Sequence, residues 1–173
     1  MIIKGEKIFL RHLKKIDIDT LHEWENNPEV REVSDGQNTY SKRDIEHFVN
    51  SHHDIYLQKQ LRLMICENKN EQPVGCIDLF QFDAHHSRAG VGILIFDKNL
   101  RNRGYGGDAL QLLIQYCIKH FDLKQLYCNV QAHNKASINL FQKAKFKIIG
   151  LKKEWNRNED EWEDEIMMQL LLR

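Results

Sequence analysis

The sequence has no excess of charge of either sign. Its 173 residues contain 25 Lys and Arg and 25 Asp and Glu, which gives a formal net charge of zero. A chain without an overall basic field is not expected to bind nucleic acid or anionic lipid. No segment approaches the roughly 18 consecutive apolar residues of a membrane-spanning helix, and the first residues lack the apolar run and cleavage site of a signal peptide. These absences predict a cytoplasmic protein whose partners are neither nucleic acid nor membrane.

Cysteine is scarce and is not spaced for metal binding. None of the cysteines lies two residues from another, and most have apolar neighbours. Such residues are usually buried thiols when they are not paired. We therefore expect reduced structural thiols at Cys66, Cys76, Cys117 and Cys128.

Histidine occurs in two adjacent pairs, His52 with His53 and His85 with His86. Neither pair has an acidic or cysteine partner at the spacing that metal ligands show. We expect solvated loop histidines here and no metal site.

The chain is predicted to be one domain over residues 1–173, because no repeat, low-complexity tract or linker interrupts it. Its length falls within the roughly 100 to 200 residues that are common for single domains. The hydrophobic fraction of 42% is sufficient for a core.

Hydrophobic periodicity predicts a mixed α and β order in the N-terminal half. A strand over Glu6 to Leu13 is followed by a helix over Ile16 to Asn26. A second helix begins after Ser41, whose hydroxyl is predicted to cap it, with Asp44 as the acidic partner of a capping box. Three antiparallel strands follow, over Leu61 to Cys66, Pro73 to Phe82 and Ala89 to Phe96.

The C-terminal half continues this alternation, starting with an apolar helix that is expected to pack on the sheet. In chain order we predict a helix, a strand, a capped helix and two closing strands, over Gly104 to His120, Leu126 to Val130, Asn134 to Ala144, Phe146 to Leu151 and Ile166 to Leu172.

Three glycines lie where the long helix begins, at positions 104, 106 and 107. Glycine lets the backbone approach an anion closely, and the first N–H groups of a helix are free donors at the positive end of its dipole. The segment predicts a phosphate cradle, but its spacing matches neither the ATP-binding P-loop nor the complete dinucleotide motif. A tight strand-to-helix turn is the alternative interpretation.

Read with the next helix, this loop resembles a known family. Arg101 to Gly106 (RNRGYG) matches the pattern Gln or Arg, two residues, Gly, one residue, Gly or Ala of the acetyl-CoA loop of GNAT acetyltransferases. Asn134 to Phe146 (NKASINLFQKAKF) resembles the second motif of that superfamily. The N-terminal segment from Glu6 looks like the RimJ/RimL-type branch, which includes bacterial spermidine acetyltransferases. The resemblance implies the α+β GNAT fold, a twisted mixed sheet of about seven strands flanked by about four helices.

The resemblance also implies acetyl-CoA as co-substrate and positions for its contacts. In the family, backbone groups of the strand before the loop bind the pantetheine arm, which here means Leu94, Ile95 and Phe96. Asn134 matches an asparagine that contacts the thioester side, although it is also a good N-cap for the following helix. The pyrophosphate is expected on the loop N–H groups of Arg101, Asn102, Arg103, Gly104, Tyr105, Gly106 and Gly107.

The departing CoA thiolate needs a proton donor. Many GNAT enzymes use a tyrosine, but the corresponding position here is Phe141, which has no hydroxyl. Ser137 lies four residues earlier, on the same helical face, and matches the serine that RimL-type enzymes are thought to use. The alternative is a solvated serine at a helix start.

The sequence does not identify a single general base. Many relatives carry a glutamate in the strand before the loop, where this sequence has Gly90. The resemblance leaves two acids, Asp78 in the strand CIDLF and Glu154 after the strand IIGLKKEW. Asp78 alternates with apolar neighbours, and burial among them can raise the pKa of an acid. An outward-facing strand residue is the alternative for Asp78.

An acidic run spans Glu154 to Glu165, with seven acids, one arginine and two tryptophans. Such a patch beside aromatic faces would attract a cationic amine, whereas the alternative is a solvated hairpin tip.

We expect an N-acetyltransferase that moves an acetyl group directly to a primary amine, such as a polyamine. The alternatives are the N-terminal amine of a protein as acceptor and, because Phe141 and Gly90 replace two common catalytic residues, an acyl-CoA-binding module without turnover. The sequence leaves open whether the protein forms homo-oligomers.

Overall fold

A computed structural model describes residues 2–33, 38–51 and 54–172. His52 and His53 lie outside the described residues. Eight strands of the described chain form one mixed sheet in the order β1-β2-β3-β4-β5-β6-β8-β7. The strands are β1 (Ile2–Lys4), β2 (Ile8–His12), β3 (Leu61–Glu67), β4 (Pro73–Asp83), β5 (Arg88–Ile95), β6 (Gln125–Gln131), β7 (Lys147–Asn158) and β8 (Glu161–Leu171).

Six α-helices flank the sheet in the described ranges, so the predicted α+β class is confirmed with slightly more elements than expected. They are α1 (Ile18–Glu25), α2 (Pro28–Val33), α3 (Lys42–Asn50), α4 (Ile55–Gln58), α5 (Tyr105–His120) and α6 (Lys135–Lys143). The unpredicted elements β1, α2 and α4 have three, six and four residues. Elements this short show too little periodicity to be recognised in a sequence.

The two faces of the sheet carry two separate cores. Helices α5 and α6 pack over the larger one, together with inward-facing residues of β2 to β6 and β8 such as Ile77, Leu79 and Val91. Helices α1 and α3 cover part of the opposite face, where Trp24 and Ile45 pack on Met64. Within the described chain no helix combines the length and apolarity needed to cross a membrane.

The start of α3 follows the prediction. The Asp44 N–H donates to Ser41 Oγ (3.2 Å), and the Ser41 N–H donates to Asp44 Oδ2 (2.8 Å). This reciprocal pair is a capping box, so the predicted boundary is confirmed.

The four cysteines are free and buried, as predicted. Burial raises the pKa of the Cys117 and Cys128 thiols to about 12. They therefore stay protonated near neutral pH and act as small apolar side chains.

Arg11 and Asp17 form a buried ion pair that joins β2 to the start of α1. The Arg11 guanidinium donates from Nη1 to Asp17 Oδ2 (2.7 Å) and from Nη2 to Asp17 Oδ1 (2.8 Å). The bond with Asp17 is the largest of the effects that raise the pKa of Arg11. Asp17 is 2% exposed, so water screens the attraction between the two charges only weakly.

Asp17→Asn is expected to lower the free energy of unfolding by about 3 kcal/mol, since it leaves a buried guanidinium without a counter-charge. Urea unfolding measures the loss. Asp19→Asn is the matched control, because it breaks the exposed pair between Asp19 of α1 and Lys42 of α3, where solvent screens the charges and only a small fraction of that loss is expected. Equal losses in the two variants would contradict the assignment.

Candidate active site

Strands β5 and β6 run parallel but separate along their length. They pair only at Arg88 with Gln125, Ala89 with Leu126 and Gly90 with Tyr127. Beyond these pairs, β5 continues through residues 91–95 without a ladder to β6 in the described chain, while β6 stays paired with β8. The divergence opens a gap in the sheet, and it leaves one backbone edge of β5 without a strand partner.

The glycine loop follows β5 at the open end of this gap. Gly104 is the N-cap of α5 with φ +88°, and it provides no side-chain cap. The first intrahelical bond runs from the Asp108 N–H to Gly104 O (3.0 Å), which leaves the N–H groups of residues 105–107 at the positive end of a 16-residue helix. Helices α3, α4 and α6, by contrast, are capped by side chains. Free N–H groups at the start of a helix are donors that suit an anion.

The three glycines serve different purposes. Gly104 needs its left-handed backbone conformation. A Cβ at Gly106 would lie 3.3 Å from Leu140 Cδ2, so this glycine lets α5 pack against α6. A Cβ at Gly107 would meet no described atom within 4 Å. The tight turn and the phosphate cradle are therefore compatible, and Gly107 borders the open space.

Side chains of the loop fix its backbone. Arg101 Nε donates to Ile95 O (3.1 Å), and Arg103 Nε donates to Asn99 O (3.1 Å). Lys7, which sequence reasoning missed, donates from Nζ to Arg103 O (3.0 Å). Asn102 holds a left-handed conformation with φ +61°. These contacts leave three cationic side chains around the loop, which favours an anionic ligand.

The backbone groups of Leu94, Ile95 and Phe96, which were predicted to bind the pantetheine arm, are not all free to bind a ligand. The Phe96 N–H donates to Val74 O (3.0 Å), and Leu94 pairs with Cys76 of β4. The unpartnered edge of residues 91–95 includes Ile95, whose carbonyl already accepts a bond from Arg101. A ligand in the gap would therefore meet an edge that is partly engaged.

Helix α6 begins on the other side of the gap, directly after β6. Asn134 Oδ1 accepts a hydrogen bond from the Ser137 N–H (3.1 Å), so Asn134 is an N-cap. Ser137 lies half-buried in the first turn. The cap involves only the backbone N–H of Ser137, and the Ser137 hydroxyl takes no part in it.

Phe141 is a core residue. It is 2% exposed, and its ring meets Phe146 edge to face with centroids 5.0 Å apart. A tyrosine hydroxyl at this position would have to be buried in an apolar cluster, which is costly without a partner. Packing therefore explains the missing hydroxyl.

Gly90 is explained by Phe80 of the neighbouring strand. A Cβ at Gly90 would lie 2.3 Å from Phe80 Cε2, because the Phe80 ring covers this position. The ring also meets Tyr127 edge to face, with centroids 5.8 Å apart. Position 90 has no room for the glutamate that many relatives carry.

Asp78 points to the face of β4 opposite to Ile77 and Leu79, which lie in the larger core. Both of its oxygens are bound by Arg62, from Nε to Oδ1 (2.6 Å) and from Nη2 to Oδ2 (3.0 Å). Asp78 is thus an ion-paired carboxylate, not an isolated acid among apolar strands.

Arg62 shares its charge between two carboxylates, since it also binds Glu25 at the end of α1. Burial disfavours the charged guanidinium, but the charges of Asp78 and Glu25 outweigh this effect and raise the pKa of Arg62. Its guanidinium lies 5.4 Å from the centre of the Phe48 ring. The cluster of two acids and one cation has a net negative charge.

This cluster opens into a cavity of about 430 Å³ on the face opposite to α5 and α6. Its wall combines acidic and aromatic side chains with Arg62 and with aliphatic residues such as Ile45 and Leu61. The lining residues include Glu25, Asp44, Asp78, Tyr40, Phe48 and Phe80. Alternation could have placed Arg62 opposite Asp78 in the β3–β4 hairpin, but Glu25 comes from a distant helix and left no sequence signal.

Glu154 lies elsewhere, on the edge hairpin. It is exposed, has φ +49° at a break in the β7–β8 register, and donates from its N–H to Asp164 Oδ1 (2.8 Å). Glu165, at the end of the acidic run, is instead buried and paired with Lys152 Nζ (2.7 Å). Among the described residues, those from 154 to 165 do not line the acidic cavity. The structure brings Asp78 to the cavity and Glu154 to the hairpin.

The family model of the acetyltransferase (GNAT) domain matches residues 7–147. An uncharacterized N-acetyltransferase, p20 of Bacillus licheniformis, is 25% identical over 97% of this chain and 94% of its own length.

Two solved structures share the fold. Spermidine N-acetyltransferase from Vibrio cholerae, in complex with CoA and spermine, is similar with a TM-score of 0.86 and 19% identity over 95% of both chains. RimL, the ribosomal L7/L12 alpha-N-protein acetyltransferase, in complex with CoA, has a TM-score of 0.87 and 16% identity over 99% of this chain and 98% of its own. The family match over residues 7–147, a range that includes the glycine loop and helix α6, places this protein in the GNAT acetyltransferase family.

Proposed function

We propose that this GNAT acetyltransferase moves the acetyl group of acetyl-CoA to a primary amine of a small cationic molecule such as a polyamine. The observation that carries the choice of acceptor is the cavity lined by Glu25, Asp44 and Asp78 together with aromatic rings. Carboxylates attract an ammonium group, and aromatic faces stabilise it once water is displaced. The spermine-bound neighbour supports this acceptor class by its fold.

Two features next to the open edge of β5 suit acetyl-CoA, namely the start of helix α5 and the gap between β5 and β6. The pyrophosphate would accept hydrogen bonds from the N–H groups of residues 105–107, and the pantetheine arm would lie in the gap along residues 91–95. Asn134 and Ser137 lie at the start of α6, after β6, and Asp78 lies on β4, where it pairs with Gly92 of the open stretch of β5. Cofactor and acceptor would then approach from different sides and meet within the sheet.

The chemistry needs no covalent enzyme intermediate. The neutral amine nitrogen attacks the thioester carbonyl carbon, the carbon–sulfur bond breaks, and the nitrogen loses its extra proton. The thiolate takes a proton from the Ser137 hydroxyl, which regains one from solvent. Asp78, held by Arg62, is the proposed acceptor of the amine proton, with Glu154 on the hairpin as the second candidate.

A panel of acceptors tests the proposal by the rate of CoA thiol release. We expect polyamines to give higher kcat/KM than monoamines, and monoamines to exceed a peptide with a free N-terminus. A peptide that outperforms every polyamine would instead favour the protein N-terminal amine as acceptor. Thiol release that no amine accelerates would leave only an acyl-CoA-binding module.

Glu25→Gln is expected to raise KM for a polyamine roughly 3- to 10-fold and to leave KM for acetyl-CoA unchanged, because one carboxylate of the cavity loses its charge. The effect should shrink at high ionic strength. The matched control neutralises Glu159, Asp160 and Glu161 on the hairpin tip, which is expected to leave the polyamine KM unchanged. A larger effect of the triple variant would show that the acidic run, not the cavity, attracts the amine.

A further inference from the structure

Two glycines occupy successive positions on one face of strand β5. Gly90 and Gly92 flank Val91, which lies in the larger core, so both glycines belong to the opposite face of the sheet. The next position on that face is Leu94, whose pairing partner Cys76 lies in the smaller core. This face of β5 therefore carries no side chain at two positions in a row.

The two glycines have different surroundings. The space over Gly90 is filled, because a Cβ there would lie 2.3 Å from Phe80 Cε2. A Cβ at Gly92 would instead lie 3.8 Å from Asp78 Oδ2 and 4.0 Å from Phe80 Cε1, which are ordinary van der Waals contacts. We call this space over Gly92, bordered by Asp78 and Phe80, the Gly92 slot. A single carbon in it already touches both side chains.

The Gly92 slot lies between the acidic cavity and the gap in the sheet. On one side, Asp78 pairs with Gly92 and lines the cavity, as Phe80 does. On the other side, Gly92 comes two residues after Gly90, which forms the last β5–β6 pair with Tyr127, so β5 has no ladder to β6 here in the described chain. An amine in the cavity would therefore meet this part of β5 before it reaches a thioester in the gap.

The fold does not require glycine at position 92. Gly104 is the one glycine with a positive φ among the described residues, so the backbone of Gly92 suits other residues too. The β4–β5 register is regular where Asp78 pairs with Gly92, and its irregularity lies between Phe80 and Asp83. Glycine inside a strand weakens it and often marks a bulge, a bend or the close approach of a ligand. Without a bulge at this point, the close approach of a ligand accounts for Gly92.

We propose that the Gly92 slot admits the reacting end of the acceptor and selects an amine on an unbranched carbon. The inference rests on the proposed function, which puts the amine in the cavity and the thioester in the gap. An aminomethyl end would place one methylene group over Gly92, in contact with Asp78 and Phe80. A substituted carbon would need space that these side chains or the cofactor occupy. Polyamines end in aminomethyl groups, whereas the N-terminal amine of a peptide, unless its first residue is glycine, lies on a substituted carbon.

Two diamines of equal charge test this selection in the wild type. Putrescine ends in aminomethyl groups, and its analogue with a methyl group on each amine-bearing carbon keeps the charge and the spacing of the amines. We expect kcat/KM for thiol release to be roughly 10- to 200-fold higher with putrescine, the range for one methylene group in a pocket. Equal values would overturn the proposal and leave the proposed function intact, whereas thiol release that no amine accelerates would overturn both.

Gly92→Ala tests the residue itself, because it fills the slot with one methyl group that meets its neighbours at ordinary distances. We expect kcat/KM for putrescine to fall roughly 10- to 200-fold. The Kd for acetyl-CoA should not change, since a Cβ leaves the face of the strand and not the backbone edge beside the gap. Calorimetry measures this affinity, and thermal unfolding checks the fold.

The matched control is Gly150→Ala, which adds the same methyl group on β7 with no described atom within 4 Å of it. It should acetylate putrescine as the wild type does. A Gly92→Ala protein that keeps the wild-type kcat/KM for putrescine overturns the proposal. Weaker binding of acetyl-CoA by Gly92→Ala overturns it as well, because position 92 would then serve the cofactor and not the acceptor.

Discussion

Ser137→Ala is expected to lower turnover by on the order of a hundred-fold to ten-thousand-fold, the range for loss of one general acid, with little change in affinity for acetyl-CoA. The cap of α6 survives the substitution, because Asn134 binds the backbone N–H of residue 137 and not its hydroxyl. A loss of turnover would therefore report the hydroxyl and not the helix. Pre-steady-state measurement of the acetyl transfer step gives the effect where chemistry limits the rate.

Two further variants sharpen the interpretation of Ser137. Adding Ala136→Ser to Ser137→Ala moves the hydroxyl by about 100° around the helix and should not restore turnover. Phe141→Tyr should not restore it either, since the ring at position 141 is 2% exposed and packs on Phe146. Full turnover in Ser137→Ala would contradict the assignment and leave water as the proton donor.

Gly107→Glu is expected to weaken acetyl-CoA binding on the order of a thousand-fold, about 4 kcal/mol, which is the repulsion of two unit charges about 4 Å apart near a protein surface. The space beside Gly107 is open to a side chain within the described residues. A glutamate in the first turn of α5 also suits the helix dipole, and replacing glycine favours the helix, so the fold should not weaken. Calorimetry measures the affinity, and thermal unfolding checks the fold.

The neutral variant Gly107→Gln separates charge from bulk, because it adds a side chain of the same size. We expect it to bind acetyl-CoA much more tightly than Gly107→Glu does. Gly150→Glu places the same charge at another glycine with open space around its Cβ and should bind as the wild type does. Equal affinities of the two Gly107 variants would contradict a phosphate at this helix start.

The longer, periodic elements could be predicted from sequence to within a few residues. Strands β3 to β6 and helix α5 agree closely with the prediction, because each buries a face and so shows a clear hydrophobic pattern. The hairpin at the end was predicted too short. Strand β7 extends to Asn158, and β8 begins at Glu161, well inside the acidic run. Both strands expose most of this stretch, so no alternation marks them as strands.

Local features of the site could also be predicted from the sequence, whereas contacts between residues far apart in the chain could not. The glycine loop, the Asn134 cap and the missing tyrosine at Phe141 depend on neighbours in sequence. The link between Glu25 and Arg62 joins residues 37 positions apart, and nothing local indicates it. For the same reason Gly90 could be seen as the loss of a glutamate, but not as the space filled by the Phe80 ring.

Mass spectrometry of a reaction with acetyl-CoA and spermidine tests the central claim most directly. The account predicts that spermidine gains one acetyl group, that free CoA appears in equal amount, and that the mass of the protein does not change, because transfer is direct. An acetylated protein that forms and then passes its acetyl group to the amine would contradict direct transfer. Spermidine and other small amines recovered without an acetyl group, beside a protein that binds acetyl-CoA tightly, would contradict the proposed function.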